Sequence, residues 1–450
     1  MKVLFSNPPW WSTPVLARVA GQANPVRVFK AGVRAGSRWP WTGPVFSRPD
    51  HYQFGDYLPY PFFMGYAATY VQKYTEAEVY FRDSIALRDS YKTFSQYVKD
   101  IRPDYFVIES ATPSWEHDQK VIRKLNRLFK DMKIIVTGPI ASKAKEVLEQ
   151  NPVHAVINGE YEKGVVDILN GAEGILKHNL LSKKEMNAAP FPWFDENHAY
   201  RYWDANPRGQ LAPQAQVWSS RGCPYKCIFC VWPATMTGND PDGSSRRTVR
   251  HYTPQYMEAF LTELVERFSY KTIYFDDDTF NLGNRHVVKM CEVMTKIGLP
   301  WSAMCRADTI KMDTWKIMKD AGCFGVKLGF ESGNQFVVDK IVNKHLDLEY
   351  SAGVVHHLKD IGMSVHGTFT YGLPGETPAQ MQDTKDFIAS LPFDTIQQSG
   401  TAEIEGTPLA TLASGGSIEN YDAASTDENY VRNTDGAQKF REMHQQFQNT

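Results

Sequence analysis

The chain has 450 residues, 42% of them apolar and 22% charged, and carries a formal net charge of -2. That length accommodates two or three domains, each with a core of its own, while the near-neutral charge leaves no basic footprint for a nucleic-acid partner. No window reaches the run of about 20 apolar residues that a membrane span requires, and Met1-Lys2-Val3-Leu4-Phe5 leads straight into a strand-like pattern without the features of a leader peptide, so the expected address is the cytoplasm.

Residues 2–6 form a short apolar run that ends in Asn7-Pro8-Pro9. Helical spacing over 62–74 is followed by a strand at 78–81, a helix over 91–101 and a buried strand at 105–108. An amphipathic stretch over 115–129 leads to a strand at 133–136 and the turn Thr137-Gly138-Pro139. A helix over 143–150, a strand at 155–157 and the turn Asn158-Gly159-Glu160 complete the series. Strands separated by helices of this length predict a parallel, doubly wound α/β sheet. Such sheets bind ligands at the carboxyl ends of their strands, which here are the loops at Asn7, Ser110, Thr137 and Asn158.

Residues 180–216 break the alternation, with Pro190, Pro192, Pro207 and Pro213 set among Trp193, Tyr200, Tyr202 and Trp203, and read as an irregular linker. From residue 216 the alternation resumes. A strand runs into Ser219, followed by a helix from 253, a strand at 272–275, a helix from 285 and a strand at 301–305. A helix from 313, a strand at 324–330, a helix from 349, a strand at 364–371 and a helix from 378 follow. The expected organisation is therefore a first domain over 1–178, a linker over 179–215, a second βα array over 216–405 and a tail or small accessory element over 406–450. The aromatic-rich stretch 39–63 and the linker are candidates to line a substrate site, although aromatics at such density more often form core.

None of the six cysteines precedes Cys223, and three fall within eight residues, as Cys223-Pro-Tyr-Lys-Cys227-Ile-Phe-Cys230. Such clustering points to metal rather than to a disulfide framework. Structural zinc takes four protein ligands. Three thiolates without a fourth suit a four-iron four-sulfur cluster with one iron left open, free to chelate the amino and carboxylate groups of a small molecule. Cys291, Cys305 and Cys323 lie on a helix, a strand and a helix-to-strand turn, and read as buried structural cysteines.

The spacing of the trio, with Phe229 just before its last cysteine, resembles the signature of the radical S-adenosylmethionine (SAM) superfamily. The resemblance implies a partial (βα)6 barrel with one [4Fe-4S] cluster on Cys223, Cys227 and Cys230. It also implies SAM at the strand ends, with Phe229 in contact with it. Asp277 and Asp278 would then meet the methionine amino group and Arg306 its carboxylate. Glu331 and Ser332 would lie at the ribose, with Gly372 and Pro374 in the adenine-side turn.

The order of the first array, with Arg102-Pro103-Asp104 before a strand and Gly159-Glu160-Tyr161-Glu162 near its end, resembles the Rossmann-like cobalamin-binding domain of radical enzymes. This implies cobalamin contacts from Asn7, Pro8, Trp10, Ser110, Thr112, Thr137, Gly138, Asn158, Gly159 and Glu160. Many cobalamin domains place a cobalt-ligating His after the first strand, whereas Asn7-Pro8-Pro9-Trp10-Trp11 has none. The cobalamin is accordingly expected in a base-off form without a protein His ligand.

Further fragments are similar to the branch containing the hopanoid cyclitol ether synthase and the anaerobic oxidative cyclase: Cys230-Val-Trp-Pro233, Phe275-Asp-Asp-Asp-Thr-Phe280 and His366-Gly-Thr-Phe369. The implied function is reductive cleavage of SAM and methylation of an unactivated carbon of a small molecule, lipid or peptide. The alternative is radical rearrangement or cyclisation of a sugar-lipid or tetrapyrrole-like substrate. Either needs an electron donor such as flavodoxin or ferredoxin. A methylthiotransferase would carry three further cysteines before Cys223, and a non-enzymatic cluster scaffold would not need Asp277, Arg306 and Glu331.

Overall fold

The computed structural model describes residues 1–11, 57–238 and 247–417, together with the backbone of four short strands at 15–19, 22–26, 28–30 and 42–44. Most of the aromatic-rich stretch 39–63 and the tail from 418 lie outside the described residues. The chain divides into two compact units: one comprises Met1–Asp204 with Ala234–Pro241 and Ile404–Gly406, and the other begins at Ala205.

The first unit is built on six parallel strands in the spatial order Gly174–Leu176, Ala155–Ile157, Lys133–Thr137, Tyr105–Glu109, Lys2–Asn7 and Glu78–Asp83. Strands such as Tyr105–Glu109 are buried at every position, as expected of strands covered on both faces. On one face Leu4, Phe106, Ile108, Ile134 and Val136 pack with Phe94, Val98, Ile122 and Leu125 of the helices Tyr91–Ile101 and Thr112–Leu128. The chain steps from Lys2–Asn7 outward to Glu78–Asp83, then crosses back to Tyr105–Glu109. This order puts a topological switch point between Asn7 and Glu109, where open α/β sheets bind ligands.

Two expectations for this unit are revised. The helix expected from 115 starts earlier. The helix begins at Thr112 because Pro113 stands at its first turn, where a missing N–H costs nothing. The stretch 179–215 is more structured than a linker. Lys183–Ala188 is a helix closed by a Ser182/Glu185 capping box, Trp203–Asp204 pairs with Tyr57–Leu58, and Gln214 opens a strand. Its aromatics are used as core: Trp193 stacks on Phe81, Phe194 on Tyr60, and Tyr202 packs edge-on against Tyr60.

The second unit is a partial (βα)6 barrel. Its parallel strands follow chain order: Gln214–Val217, Thr272–Phe275, Trp301–Cys305, Cys323–Glu331, Ser364–Tyr371 and Thr395–Gly400. The helices Pro254–Arg267, Asn284–Ile297, Met312–Asp320, Leu348–Asp360 and Pro378–Ser390 connect successive strands from the first to the sixth. Thr253, Asp347 and Thr377 cap three of them through side-chain oxygens. Phe330 and Phe369 stack together and pack on Phe387 and Phe393, which fixes the helix-covered face of their strands. By alternation, Lys327, Glu331, His366 and Thr370 face the opposite, inner side. No helix among the described residues is long and apolar enough to cross a membrane.

Candidate functional site

The cysteine loop follows the first barrel strand. Gly222, at φ 91, turns the chain, and its N–H donates to Asp278 Oδ2 at 3.1 Å. Cys223 and Cys227 are buried and Cys230 is half-buried. They sit in a shell of Tyr225, Leu282, Phe336, Ile341, Val342 and Leu373, with Phe229 packed alongside. Cys223 Sγ lies 3.5 Å from Thr279 Oγ1. The loop is pinned from outside itself: Arg247 Nη1 donates to Tyr225 O at 2.5 Å, Asn343 Nδ2 to Lys226 O at 3.2 Å, and Ile228 N to Val342 O at 3.1 Å.

Burial is the main cause that pushes the Cys223 and Cys230 thiols up, so thiolates there require a cation that replaces lost solvation. Among the described residues no three His, Cys, Asp or Glu side chains converge on a single metal-ion position. A polynuclear cluster has no such requirement, since each of its cysteines binds a different iron. The donor set and its apolar shell fit a cluster of that kind.

Around the loop stand the charged residues. Arg306 lies with its guanidinium 3.8 Å from the centre of the Tyr225 ring, forks onto Asp308 at 2.5 and 3.0 Å, and donates to Lys344 O at 2.8 Å. Burial lowers its pKa, but Asp308, Tyr225 and Cys227 together outweigh it, so the net shift is upward and the group stays charged. Glu331 ends its strand at φ 69. It accepts from Lys344 Nζ at 2.7 Å and from Thr370 Oγ1 at 3.2 Å. Left-handed backbone at a non-glycine residue costs roughly 1 kcal/mol or more, so Glu331 is held there by its partners.

Other expected contacts have protein partners of their own. Asp277 is fully buried and takes hydrogen bonds from Ser219 and Ser220. Burial is the main cause that raises its carboxyl to about 6. Ser332 pairs with Thr384 Oγ1 at 2.9 Å and accepts from Asn334 N, fastening the turn after its strand to the helix Pro378–Ser390. Gly372, at φ 75, and exposed Pro374 form the turn after the fifth strand, where Glu376 accepts from Gly372 N at 2.8 Å. Leu373 of that turn reaches the cysteine loop. Lys344 and Asn343 were not anticipated, because they lie in a strand-to-helix connection without any motif. Cys291, Cys305 and Cys323 are buried with thiols pushed up by desolvation, as structural cysteines are.

The model of the radical SAM superfamily matches residues 219–388, from the strand end before the cysteine loop to the helix after the fifth strand. That stretch of the chain is a radical SAM domain. The chain is similar to an uncharacterized methyltransferase of Pyrococcus horikoshii, 27% identical over 375 residues that cover 78% of this chain and 77% of the relative. It is also similar to the cytidylyl-2-hydroxyethylphosphonate methyltransferase of Streptomyces wedmorensis, 25% identical over 50% of this chain, and spans 43% of that protein. Among solved structures, the radical SAM methyltransferase TsrM of Kitasatospora setae with cobalamin and [4Fe-4S] cluster bound shares the fold. Its TM-score is 0.58 at 16% identity, covering 77% of this chain and 74% of that one.

The switch point of the first unit gathers polar groups as well. Thr137 Oγ1 and Asn7 Oδ1 are buried without a hydrogen-bond partner, while the Asn7 amide also bonds the Asp83 carboxylate. A Cβ on Gly138, at φ 92, would lie 2.5 Å from Ser110 O. That leaves glycine as the residue that lets the two turns meet. Ser110 Oγ donates to Asp118 Oδ2 at 2.6 Å, and Thr112 Oγ1 accepts from Glu405 N. Glu160 is engaged by Leu181 N at 2.9 Å, and Gly159 lies against His178. A cavity of about 230 Å³ borders the turn Asn158-Gly159-Glu160, lined by Ile157, Glu160, Asp167, Lys177 and His178. Asn158 is half-buried at the end of its strand, and buried Pro8 and Trp10 follow the first strand. Trp10 stacks on His117.

Proposed function

We propose that this chain is a cobalamin-dependent radical SAM enzyme that methylates an unactivated carbon of a small molecule, lipid or peptide. The observation that carries the reading is a sheet with unpartnered polar atoms at its switch point, in a chain whose barrel has an apolar three-cysteine loop ringed by Arg306 and Glu331. Methyl transfer in both relatives and in the solved neighbour supports it.

Cys223, Cys227 and Cys230 would hold the [4Fe-4S] cluster, and Asp278, Arg306, Glu331 and Gly372 would border SAM. Asn7, Ser110, Thr137 and Gly138 would border cobalamin. With an electron from a flavodoxin or ferredoxin in the cytoplasm, the cluster and SAM supply a 5′-deoxyadenosyl radical, and cobalamin supplies the methyl group. The chain's own contribution is positional. Arg306 offers a charge kept permanent by Asp308, Glu331 offers a carboxylate oriented by Lys344 and Thr370, and the shell of Leu282, Phe336 and Leu373 keeps water from the cysteine loop.

The test is product mass spectrometry on reconstituted enzyme given trideuteromethyl SAM and candidate substrates. A product carrying the labelled methyl supports the proposal. A product isomeric or cyclised, with no label, overturns methylation in favour of rearrangement.

A further inference from the structure

The segment 342–345 joins three parts of the barrel mouth that are far apart in sequence. Val342 O accepts from Ile228 N at 3.1 Å, and Asn343 Nδ2 donates to Lys226 O at 3.2 Å. Two consecutive residues thus grip the cysteine loop on both sides of Cys227. The next residue reaches the charged groups: Lys344 O accepts from Arg306 Nη2 at 2.8 Å, and Lys344 Nζ donates to Glu331 Oε1 at 2.7 Å.

This reach depends on unusual backbone. Asn343 and His345, flanking Lys344, have φ of 57 and 53, and Glu331 has φ 69. Asn and His tolerate left-handed backbone better than most residues, yet three such positions in one hydrogen-bonded patch persist only where the surroundings over-determine them. Strain of this kind concentrates at functional sites, and the π-helical turn Val337–Ile341 just before the segment is a second irregularity of the same sort. The ion pair itself is 9% and 7% exposed at its two side chains, so each charge depends on the other for solvation.

We propose that Lys344 is a positioning residue for the cosubstrate. Its ammonium fixes the Glu331 carboxylate, and the backbone beside it holds that carboxylate and Arg306 in register with the cysteine loop. The inference rests on Glu331 being a SAM contact. Removing the ammonium releases the carboxylate without taking any ligand from the cluster.

The experiment measures equilibrium binding of SAM to reconstituted enzyme, with iron counted in the same samples. Lys344→Gln is expected to weaken binding about tenfold with iron retained, and Lys344→Arg to stay within about threefold of wild type. The double variant Glu331→Gln/Lys344→Gln should bind no more weakly than Glu331→Gln alone, because Lys344 acts through the carboxylate. Binding by Lys344→Gln within about twofold of wild type overturns the proposal, as does a double variant whose loss is the sum of the single losses. If Lys344→Gln alone does not fold, the double variant, which removes both buried charges, and Lys344→Arg carry the same two comparisons. Unchanged affinity in Glu331→Gln would overturn the SAM assignment of Glu331, a failure distinct from that of Lys344. A readout independent of turnover is the electron paramagnetic resonance spectrum of the reduced cluster. At a SAM concentration near the wild-type Kd, its SAM-induced change should persist in Lys344→Arg and be largely lost in Lys344→Gln; an equal change in both would overturn the proposal.

Discussion

The Asp277 carboxylate accepts the Ser220 hydroxyl at 2.6 Å, and it also takes the backbone N–H and hydroxyl of Ser219. These hydrogen bonds brace the chain just before the cysteine loop. Asp277→Ala leaves three buried donors without their acceptor and is expected to cost about 3 kcal/mol of stability, while SAM affinity of the folded enzyme stays within about twofold. Urea unfolding and binding measured side by side check this. Unchanged stability with weakened binding would return Asp277 to the cosubstrate site.

A second expectation concerns pH. Burial, reinforced by the Lys327 ammonium, pushes the His366 imidazole down to about 3. In the unfolded chain it titrates near 6.5 (about). Below that pH the unfolded state binds a proton that the folded state refuses, so stability is lost as pH falls from about 6.5 towards 3. Asp277, raised to about 6, acts in the opposite sense as pH falls below 6. A comparison with His366→Asn isolates the histidine: wild type should lose about 1.4 kcal/mol relative to the variant between roughly pH 7.5 and 5.5. A difference that stays constant across that range would contradict the assignment.

The cobalt environment gives a third. His117, which packs on Trp10 at 5.8 Å between ring centres, has one ring nitrogen 3.0 Å from Tyr91 Oη and the other 3.3 Å from Asp118 Oδ1. Both nitrogens are engaged, and an indole offers no lone pair for metal. Electron paramagnetic resonance of the cob(II)alamin form is therefore expected to show no superhyperfine splitting from an axial nitrogen. Splitting of that kind would refute a base-off, histidine-free site.

Much of this architecture was legible in the sequence, because buried parallel strands are continuous apolar runs and the connecting helices show 3.6-residue spacing. The sixth barrel strand, Thr395–Gly400, was read only through the family resemblance, since its polar residues alternate between half-buried and exposed. Side-chain direction was the harder quantity. Asp277 and Asp278 are adjacent, yet one faces Ser219 and Ser220 while the other meets Gly222 N, and no periodicity distinguishes them beyond the end of a strand. The cysteine trio was recognisable because its ligands are local in sequence. Lys344 was not, since its role arises from contacts with Arg306 and Glu331 that only the fold creates.

The most direct measurement of the central claim is iron content together with 5′-deoxyadenosine release, in wild type and in Cys227→Ala reconstituted in parallel. Wild type should hold about four irons per chain and release 5′-deoxyadenosine when reduced in the presence of SAM, and Cys227→Ala should do neither. A Cys227→Ala protein that retains the cluster and still cleaves SAM would contradict the account.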